Sequence, residues 1–273
     1  MDNLLEKIKE AADYLKGKGY GNASVGVILG TGLGAFIDQI SVEQSIPYDQ
    51  IPHFPVATVE FHSGKLILGK VGNVKVIAML GRFHYYEGYS MQQITFPVRV
   101  MKELGVNDLL LSNAAGGMNL SFKKADLVLI DDHINLLPEN PLRGLNDPAF
   151  GNRFVDMSEP YSHKLNQLLA KTAFQLGIGL KKGVYVAVMG PNLETRAEYR
   201  QLRSTGADMV GMSTVPEVIV AGHLGIACAA ISVITDECDP DHLNPVSITE
   251  IIRVAGRADR VLSRLFLETV KQL

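Results

Sequence analysis

The chain has 273 residues, 47% of them hydrophobic and 20% charged, a composition typical of a folded protein with a sizeable core and unlike that of a disordered one. Its 26 lysines and arginines against 29 aspartates and glutamates give a net charge of -3, which disfavours nucleic acid or an acidic membrane surface as a partner. The 2 cysteines lack the number and spacing of a disulfide framework or a zinc site. We therefore expect a small-molecule ligand.

Residues 1–17 combine charged and apolar side chains at helical spacing, which predicts an amphipathic helix instead of the apolar core of a signal peptide. No apolar run of about 18 residues, the length of a membrane-spanning helix, occurs in the sequence. These observations predict a cytoplasmic protein that does not associate with membranes.

Beyond this helix, short apolar runs alternate with longer segments of helical period. Strands are predicted at residues 24–29, 74–80, 108–112, 126–130, 184–188 and 226–234. Helices are predicted at 91–104, 160–176, 194–205, 215–224 and 247–270, with helix-stopping glycines at Gly105, Gly177, Gly206 and Gly225. The alternation predicts an α/β fold, a single domain over residues 1–273 with a central mixed, largely parallel β-sheet flanked by helices.

One stretch has no regular period. Residues 136–157 contain three prolines, two glycines and several asparagines and aspartates. A loop of this length inside a compact domain is usually functional, so we expect it to cover a site or to contact a neighbouring subunit.

The first candidate binding segment is GTGLGA, residues 30–35, directly after the first predicted strand. Its glycines let the backbone bring N–H groups close to an anion, and Thr31 adds a hydroxyl donor. The letters also fit a dinucleotide-binding turn, which needs an acidic strand end about 20 positions later, where this chain has the proline-flanked YDQIP. Alone, the motif supports a phosphate-binding turn and a purely structural turn equally.

The second segment is GRFHYYEGY, residues 81–89, which follows the strand predicted at 74–80. Arg82 offers bidentate donors suited to phosphate, His84 exchanges a proton near neutral pH, and Tyr86 offers an aromatic face with a hydroxyl. A solvated arginine and a histidine packed in a loop are the structural alternatives. This density of functional groups at a strand end favours an anion site.

Four further segments end strands or begin helices. The small residues of SNAAGGMN, 112–119, expose backbone amides such as that of Ala114, and in VGMSTVPE, 210–217, Ser213 or Thr214 caps the next helix and can also meet an anion. In GPNLET, 190–195, Glu194 is either a ligand group or a charge that complements a helix start capped by Asn192. Asp236 in ITDECD, 234–239, is either a catalytic carboxylate or a turn residue.

Together, in this order, GTGLGA, GRFHYYEGY, SNAAGG, GPNLET, VGMSTVPE and SVITDE closely resemble the trimeric purine nucleoside phosphorylase family over residues 25–240. The resemblance implies the nucleoside phosphorylase fold, a homotrimer, inorganic phosphate as co-substrate, and no metal or other cofactor. It implies a phosphate pocket made by Thr31, His62, Arg82, His84, Ala114 and Ser213. It also implies nucleoside contacts from Tyr86, Phe150, Leu193, Glu194, Met212 and Asp236, with Phe150 reaching the ribose site of the neighbouring subunit.

The chain departs from the family pattern at three places. Leu193 stands where an aromatic residue often contacts the base, and no histidine occurs near Thr249 to meet the sugar 5'-hydroxyl. Asp236 occupies a position that is often asparagine in members selective for 6-oxopurines. The choice of purine therefore depends largely on Asp236.

The chemistry that this implies is phosphorolysis of a purine nucleoside, for which His84, Glu194 and Asp236 are the candidate catalytic residues. Positive charge on the ribose and negative charge on the leaving purine are best met where they develop. Glu194 is expected to accept from N1–H of a 6-oxopurine, which predicts inosine and guanosine as preferred substrates in purine salvage. The alternatives are a methylthioadenosine phosphorylase and a non-catalytic nucleotide-binding regulator.

Overall fold

The computed structural model of the protein describes residues 4–56, 58, 64–144 and 150–273. The strands are β1 Val25–Leu29, β2 Ser41–Pro47, β3 Lys65–Val71, β4 Val74–Leu80, β5 Asp108–Gly117, β6 Leu127–Asn135, β7 Leu180–Ala187, β8 Met209–Gly211 and β9 Ala227–Glu237. The α-helices are α1 Leu4–Gly17, α2 Met91–Glu103, α3 His163–Leu176, α4 Arg196–Ser204, α5 Val215–His223 and α6 Ile248–Val270. No helix in the described ranges is long and apolar enough to cross a membrane.

The helices begin and end where local chemistry requires. Serine or threonine hydroxyls accept from backbone N–H groups at the starts of α2, α3, α4 and α6, satisfying donors that a helix start leaves unbonded. All four predicted helix-stopping glycines adopt positive φ, between +65° at Gly225 and +104° at Gly105, a conformation that glycine adopts without steric cost.

The described strands form one sheet in the order β2-β3-β4-β1-β5-β8-β7-β6-β9. A further pairing of β5 with β9 joins the last strand back to the middle, so β5, β8, β7, β6 and β9 form a closed ring. β1 runs parallel to β4 and β5, and β5 runs parallel to β9, whereas β3 pairs antiparallel with both of its neighbours. The predicted α/β class with a central mixed sheet is confirmed.

The predicted strand set was incomplete. β2, β3 and β8 were not predicted, and β5 and β9 extend beyond their predicted ends at residues 112 and 234. β2 is an edge strand whose first five side chains are exposed, so it carries no apolar period. β3 forms a hairpin with β4 through Gly72-Asn73, with Gly72 at φ +58°, and this two-residue hairpin signal was present in the sequence.

Side chains alternate between two hydrophobic clusters on the two faces of the sheet. Ile28 and Ile77 face the cluster that includes α1, α2 and α5, whereas Val27 and Ala78 face the cluster that includes α3 and α6. Because β1, β4, β5 and β9 are linked by parallel pairings, their carboxyl ends lie at one edge of the sheet. The segments that follow these strands therefore converge on that edge.

Candidate active site

A cavity of about 350 Å³ lies at this edge of the sheet. It falls within the size range of small-molecule binding sites. Of the predicted site residues, the following line it: Thr31, Arg82, His84, Tyr86, Ala114, Leu193, Glu194, Met212, Ser213 and Asp236. His62 lies outside the described residues, and Phe150 does not line the cavity of its own chain. Six separate sequence segments thus meet in one space.

Arg82 is fixed at one end of the cavity by four hydrogen bonds. Its Nη1 donates to the hydroxyls of Thr214 at 3.0 Å and Ser213 at 3.3 Å, and Nη2 donates to the carbonyls of Ile28 and Ser112. Only 1% of the side chain is exposed. Burial in protein strengthens the attraction between this guanidinium and any anion that enters the cavity.

The start of α5 holds Arg82 in place through Thr214 and Glu217. Glu217 in the first turn of α5 is buried, and its Oε1 lies 3.7 Å from Arg82 Nη1, so it offsets part of the buried positive charge. Thr214 adopts φ +70° at the cap position, but its hydroxyl accepts from Arg82 and from Asn113 Nδ2 instead of capping the helix. This strained backbone places Ser213 at the cavity wall.

His84 is oriented by Glu87. Oε1 of Glu87 lies 2.9 Å from His84 Nδ1 and also accepts from the His84 backbone N–H at 2.8 Å. Burial raises the pKa of Glu87, but hydrogen bonds from His84 and Thr58 outweigh it and lower this pKa to about 2. Glu87 is therefore ionised at neutral pH, and its contact with Nδ1 fixes the orientation of the His84 ring in the cavity wall.

Thr31 lies in a tight turn after β1. Leu33 N–H donates to the Gly30 carbonyl at 3.1 Å, and Gly30 N–H donates to Ser112 Oγ at 3.2 Å. A Cβ on Gly30 would lie 2.8 Å from the Ser112 carbonyl oxygen, so only glycine permits this approach to β5. The turn brings Thr31 beside Ala114 in the cavity wall.

Tyr86 and Met212 form part of the cavity wall. The Tyr86 ring stacks on His84 with centroids 4.7 Å apart and planes at 13°, and burial raises the pKa of its hydroxyl to about 12. The Met212 side chain packs over Gly190, where a Cβ would approach Sδ to 2.2 Å. This wall is aromatic and thioether in character, which suits the apolar face of a sugar or base.

The other end of the cavity carries two carboxylates. Burial, and to a lesser extent the charge of Asp236, raises the pKa of Glu194. Asp236 is 6% exposed and accepts from the Thr235 hydroxyl at 2.8 Å through Oδ1 and from the Cys238 thiol at 3.0 Å through Oδ2. The charge of Asp236 acts on Glu194, so the two carboxylates lie near each other at this end of the cavity.

Comparison with known proteins agrees with this geometry. A sequence model of the phosphorylase superfamily matches residues 24–271. Purine nucleoside phosphorylase 1 from Bacillus subtilis (strain 168) is 48% identical over 269 residues, which cover 98% of this chain and 99% of the relative. The chain belongs to the purine nucleoside phosphorylase family. It is an enzyme of this family, whose members use phosphate as a co-substrate.

More distant members of the family have the same fold. Purine nucleoside phosphorylase from Bos taurus is 45% identical, covering 87% of this chain and 84% of the relative. A crystal structure of isoform 2 of the Schistosoma mansoni phosphorylase, in complex with cytosine and ribose-1-phosphate, superposes with a TM-score of 0.93 at 42% identity. The superposition covers 98% of this chain and 96% of the other. The predicted nucleoside phosphorylase fold is therefore confirmed.

Several residues of this phosphorylase site were not predicted. Asn113, Thr235, Ile248 and Ile251 also line the cavity. Ile248 and Ile251 come from the first turn of α6, beside Thr249, where the comparison with the family pattern looks for a histidine and finds none. Asn113 and Thr235 lie inside predicted segments, so membership of a motif was the signal available for them.

Helix α4 begins later than predicted. The helix predicted from residue 194 starts at Arg196, with Thr195 as the cap that accepts from Glu198 N–H at 3.3 Å. Asn192 is therefore not the cap, and Glu194 lies before the helix, where it lines the cavity. This removes the structural alternative in which Glu194 only complements the helix dipole.

Phe150 contacts a different part of the chain. The guanidinium of Arg99 lies 5.4 Å from the centre of the Phe150 ring.

Within the described ranges, no group of three or more histidine, cysteine, aspartate or glutamate side chains is arranged to hold a metal ion.

Proposed function

We propose that this enzyme cleaves the N-glycosidic bond of purine ribonucleosides and deoxyribonucleosides with inorganic phosphate. The products are the free base and ribose 1-phosphate or deoxyribose 1-phosphate. The observation that carries the proposal is a single cavity with Arg82, His84, Thr31 and Ser213 at one end and two carboxylates at the other. The relatives named purine nucleoside phosphorylase favour this activity over a methylthioadenosine phosphorylase or a regulator.

The separation of the two ends supports a phosphate and a base bound at once. Arg82 bonds to β5 at Ser112, and Asp236 lies opposite Gly116 on the same strand. Four residues of strand span about 13 Å at roughly 3.3 Å per residue. A nucleoside bridging this span presents its base to the carboxylates and its anomeric carbon to the phosphate.

In this arrangement a phosphate oxygen bonds to the anomeric carbon as the bond to N9 of the purine breaks. The electron pair of that bond leaves with the base, and a proton supplied at N7 neutralises it. We assign this proton transfer to Asp236 in its protonated form. Phosphate held by Arg82 and His84 serves both as nucleophile and as counter-charge to the developing positive ribose.

The base contacts support a preference for 6-oxopurines. Glu194, ionised, accepts from N1–H of hypoxanthine and, in guanine, also from the 2-amino group, whereas adenine lacks both donors. Asp236 can in addition accept from a 6-amino group, so adenosine is a weaker substrate in this proposal. Related Schistosoma mansoni structures were solved in complex with hypoxanthine and with adenosine, which supports a site open to both bases.

We also propose a homotrimer in which Phe150 contacts the ribose site of the neighbouring subunit. Phe150 lies against Arg99 and away from its own cavity, which leaves it available to another copy. A single domain over residues 1–273, a cytoplasmic location and a role in purine salvage accompany this proposal as predictions.

The test is the absorbance change of inosine with and without phosphate. Conversion is expected only with phosphate, and turnover is expected to fall steeply in Glu194→Ala and Asp236→Ala. The substitution Asp239→Asn, on the loop after β9, is the matched control and is expected to retain activity. Unchanged turnover in both alanine variants would contradict the assignment, and turnover of methylthioadenosine alone would favour the related phosphorylase.

A further inference from the structure

Asp259 is a buried carboxylate on α6 that the mechanism above does not use. Only 7% of the residue is exposed. Its Oδ2 accepts from the Ala35 backbone N–H at 2.8 Å, and its Oδ1 accepts from Ser263 Oγ at 3.0 Å. Burial, with a smaller contribution from the charge of Asp38, raises its pKa. A carboxylate taken out of water in this way requires hydrogen bonds to offset its lost hydration.

The backbone that Asp259 holds is the turn that carries Thr31. At its first residue, Gly30, this turn is fixed to β5 by the hydrogen bond from Gly30 N–H to Ser112 Oγ. At its last residue, Ala35, it is fixed to α6 by Asp259, which lies 224 residues later in the sequence. Leu33 between these two anchors is buried in the core, so the turn is held by packing as well as by its two hydrogen-bonded ends.

The turn also lies directly on the surface of α6. Gly32 adopts φ +70°, and a Cβ there would lie 3.2 Å from Ala255 Cβ, one helical turn before Asp259. The start of the same helix contributes Ile248 and Ile251 to the cavity wall. α6 therefore sets both the position of the Thr31 turn and part of the wall of the cavity.

We propose that Asp259 is a positioning residue for phosphate, which holds the turn of residues 30–35 on α6 so that Thr31 and the turn backbone face the phosphate end of the cavity. The inference rests on the proposed function for the identity of the anion. Asp259 does not line the cavity and touches no reacting atom. Its effect is confined to the phosphate end, because the carboxylates that face the base belong to other elements.

The experiment compares Asp259→Ala and Asp259→Asn with the wild type. Glu268→Gln, which replaces a partly exposed carboxylate on the same helix, is the matched control. Both KM values are measured, for phosphate at saturating inosine and for inosine at saturating phosphate. Thermal unfolding with and without inorganic phosphate is measured on the same samples, and it requires no turnover.

Loss of the hydrogen bonds to a charged group predicts that the KM for phosphate rises about ten-fold in Asp259→Ala. The KM for inosine is expected to stay within about two-fold, since only one substrate's binding is changed. Asp259→Asn keeps one acceptor oxygen and is expected to show a rise of about three-fold. The increase in Tm caused by phosphate is expected to shrink in the same order, and Glu268→Gln is expected to match the wild type.

An unchanged KM for phosphate in both variants would overturn the proposal, as would an equal rise in both KM values, which a merely structural role produces. If Asp259→Ala does not fold, the asparagine variant decides by the same criteria. If the wild type does not cleave inosine, the proposed function fails. The phosphate-dependent shift in Tm then still decides whether Asp259 supports anion binding.

Discussion

The substitution Asp236→Asn changes one atom at the base end of the cavity and should narrow the range of purines. In the wild type, both carboxylate oxygens accept hydrogen bonds, Oδ1 from the Thr235 hydroxyl at 2.8 Å and Oδ2 from the Cys238 thiol at 3.0 Å. The hydroxyl is the stronger donor, so the amide oxygen of asparagine is expected to stay with Thr235. The amide nitrogen then takes the place of Oδ2.

Replacing Asp236 Oδ2 by an amide nitrogen converts a hydrogen-bond acceptor into a donor at the position where the purine 6-substituent is expected to lie. Adenosine loses the hydrogen bond from its 6-amino group to the protonated Asp236 carboxyl, a neutral acceptor, worth about 0.5–1.5 kcal/mol. This corresponds to a fall of about two- to ten-fold in the ratio of kcat/KM for adenosine to that for inosine. Inosine carries a 6-oxo acceptor, so its binding is expected to be retained.

The assay measures kcat/KM for adenosine and inosine under saturating phosphate, in the wild type, in Asp236→Asn and in the control Asp239→Asn. The ratio of adenosine to inosine is expected to fall in Asp236→Asn alone. An unchanged ratio would refute the placement of Asp236 at the 6-position of the base. An equal fall for both substrates would indicate that Asp236 acts only on a step common to them.

Three further predictions follow from the same geometry. Because the pKa of Glu194 is raised, kcat/KM for inosine should decrease on acidification, with a midpoint above the pKa of an ordinary glutamate. Glu194→Gln should remove this acidic limb of the pH profile. The ionised Glu87 stabilises the fold above its ordinary pKa of 4.5, and this contribution is lost as the pH falls towards its lowered pKa of about 2. Urea unfolding should therefore give Glu87→Gln a lower free energy of unfolding than the wild type at pH 7, and the difference should shrink as the solution is acidified. Gly190→Ala should lower Tm, because Gly190 adopts φ +65°, a backbone conformation that disfavours any side chain, and it should raise the KM for inosine, because its Cβ would displace the Met212 side chain in the cavity wall. Gly256→Ala, in open space on a helix, should raise the free energy of unfolding by up to about 1 kcal/mol. A Gly190→Ala variant with wild-type KM and Tm would contradict both effects.

The convergence of the motifs was predictable because each follows a strand. β1, β4, β5 and β9 are joined by parallel pairings, so their carboxyl ends meet, and the residues at or just after those ends must share one edge. This is why Thr31, Arg82, Ala114 and Asp236 lie in one cavity despite being far apart in sequence. Knowing that each motif lies at the end of a predicted strand was enough to predict that the motifs converge, without any detail of side-chain packing.

The groups that hold these side chains were not predictable in the same way. Glu217 behind Arg82 ends the VGMSTVPE segment, but its contact with Arg82 was not predicted. Asp259 behind the Thr31 turn is an ordinary helical residue in sequence, outside every motif. Their roles arise only when helices pack against the sheet. The closing of β5 through β9 into a ring depends likewise on β8, a three-residue strand that is too short to leave a period in the sequence.

The most direct test of the account is a crystal structure of the protein with inorganic phosphate and hypoxanthine bound together. The account predicts phosphate in contact with Arg82, His84 and Ser213, with hypoxanthine bound to Glu194 and Asp236 in the same cavity. Phosphate located at the carboxylate end, or a base seated against Arg82, would contradict it.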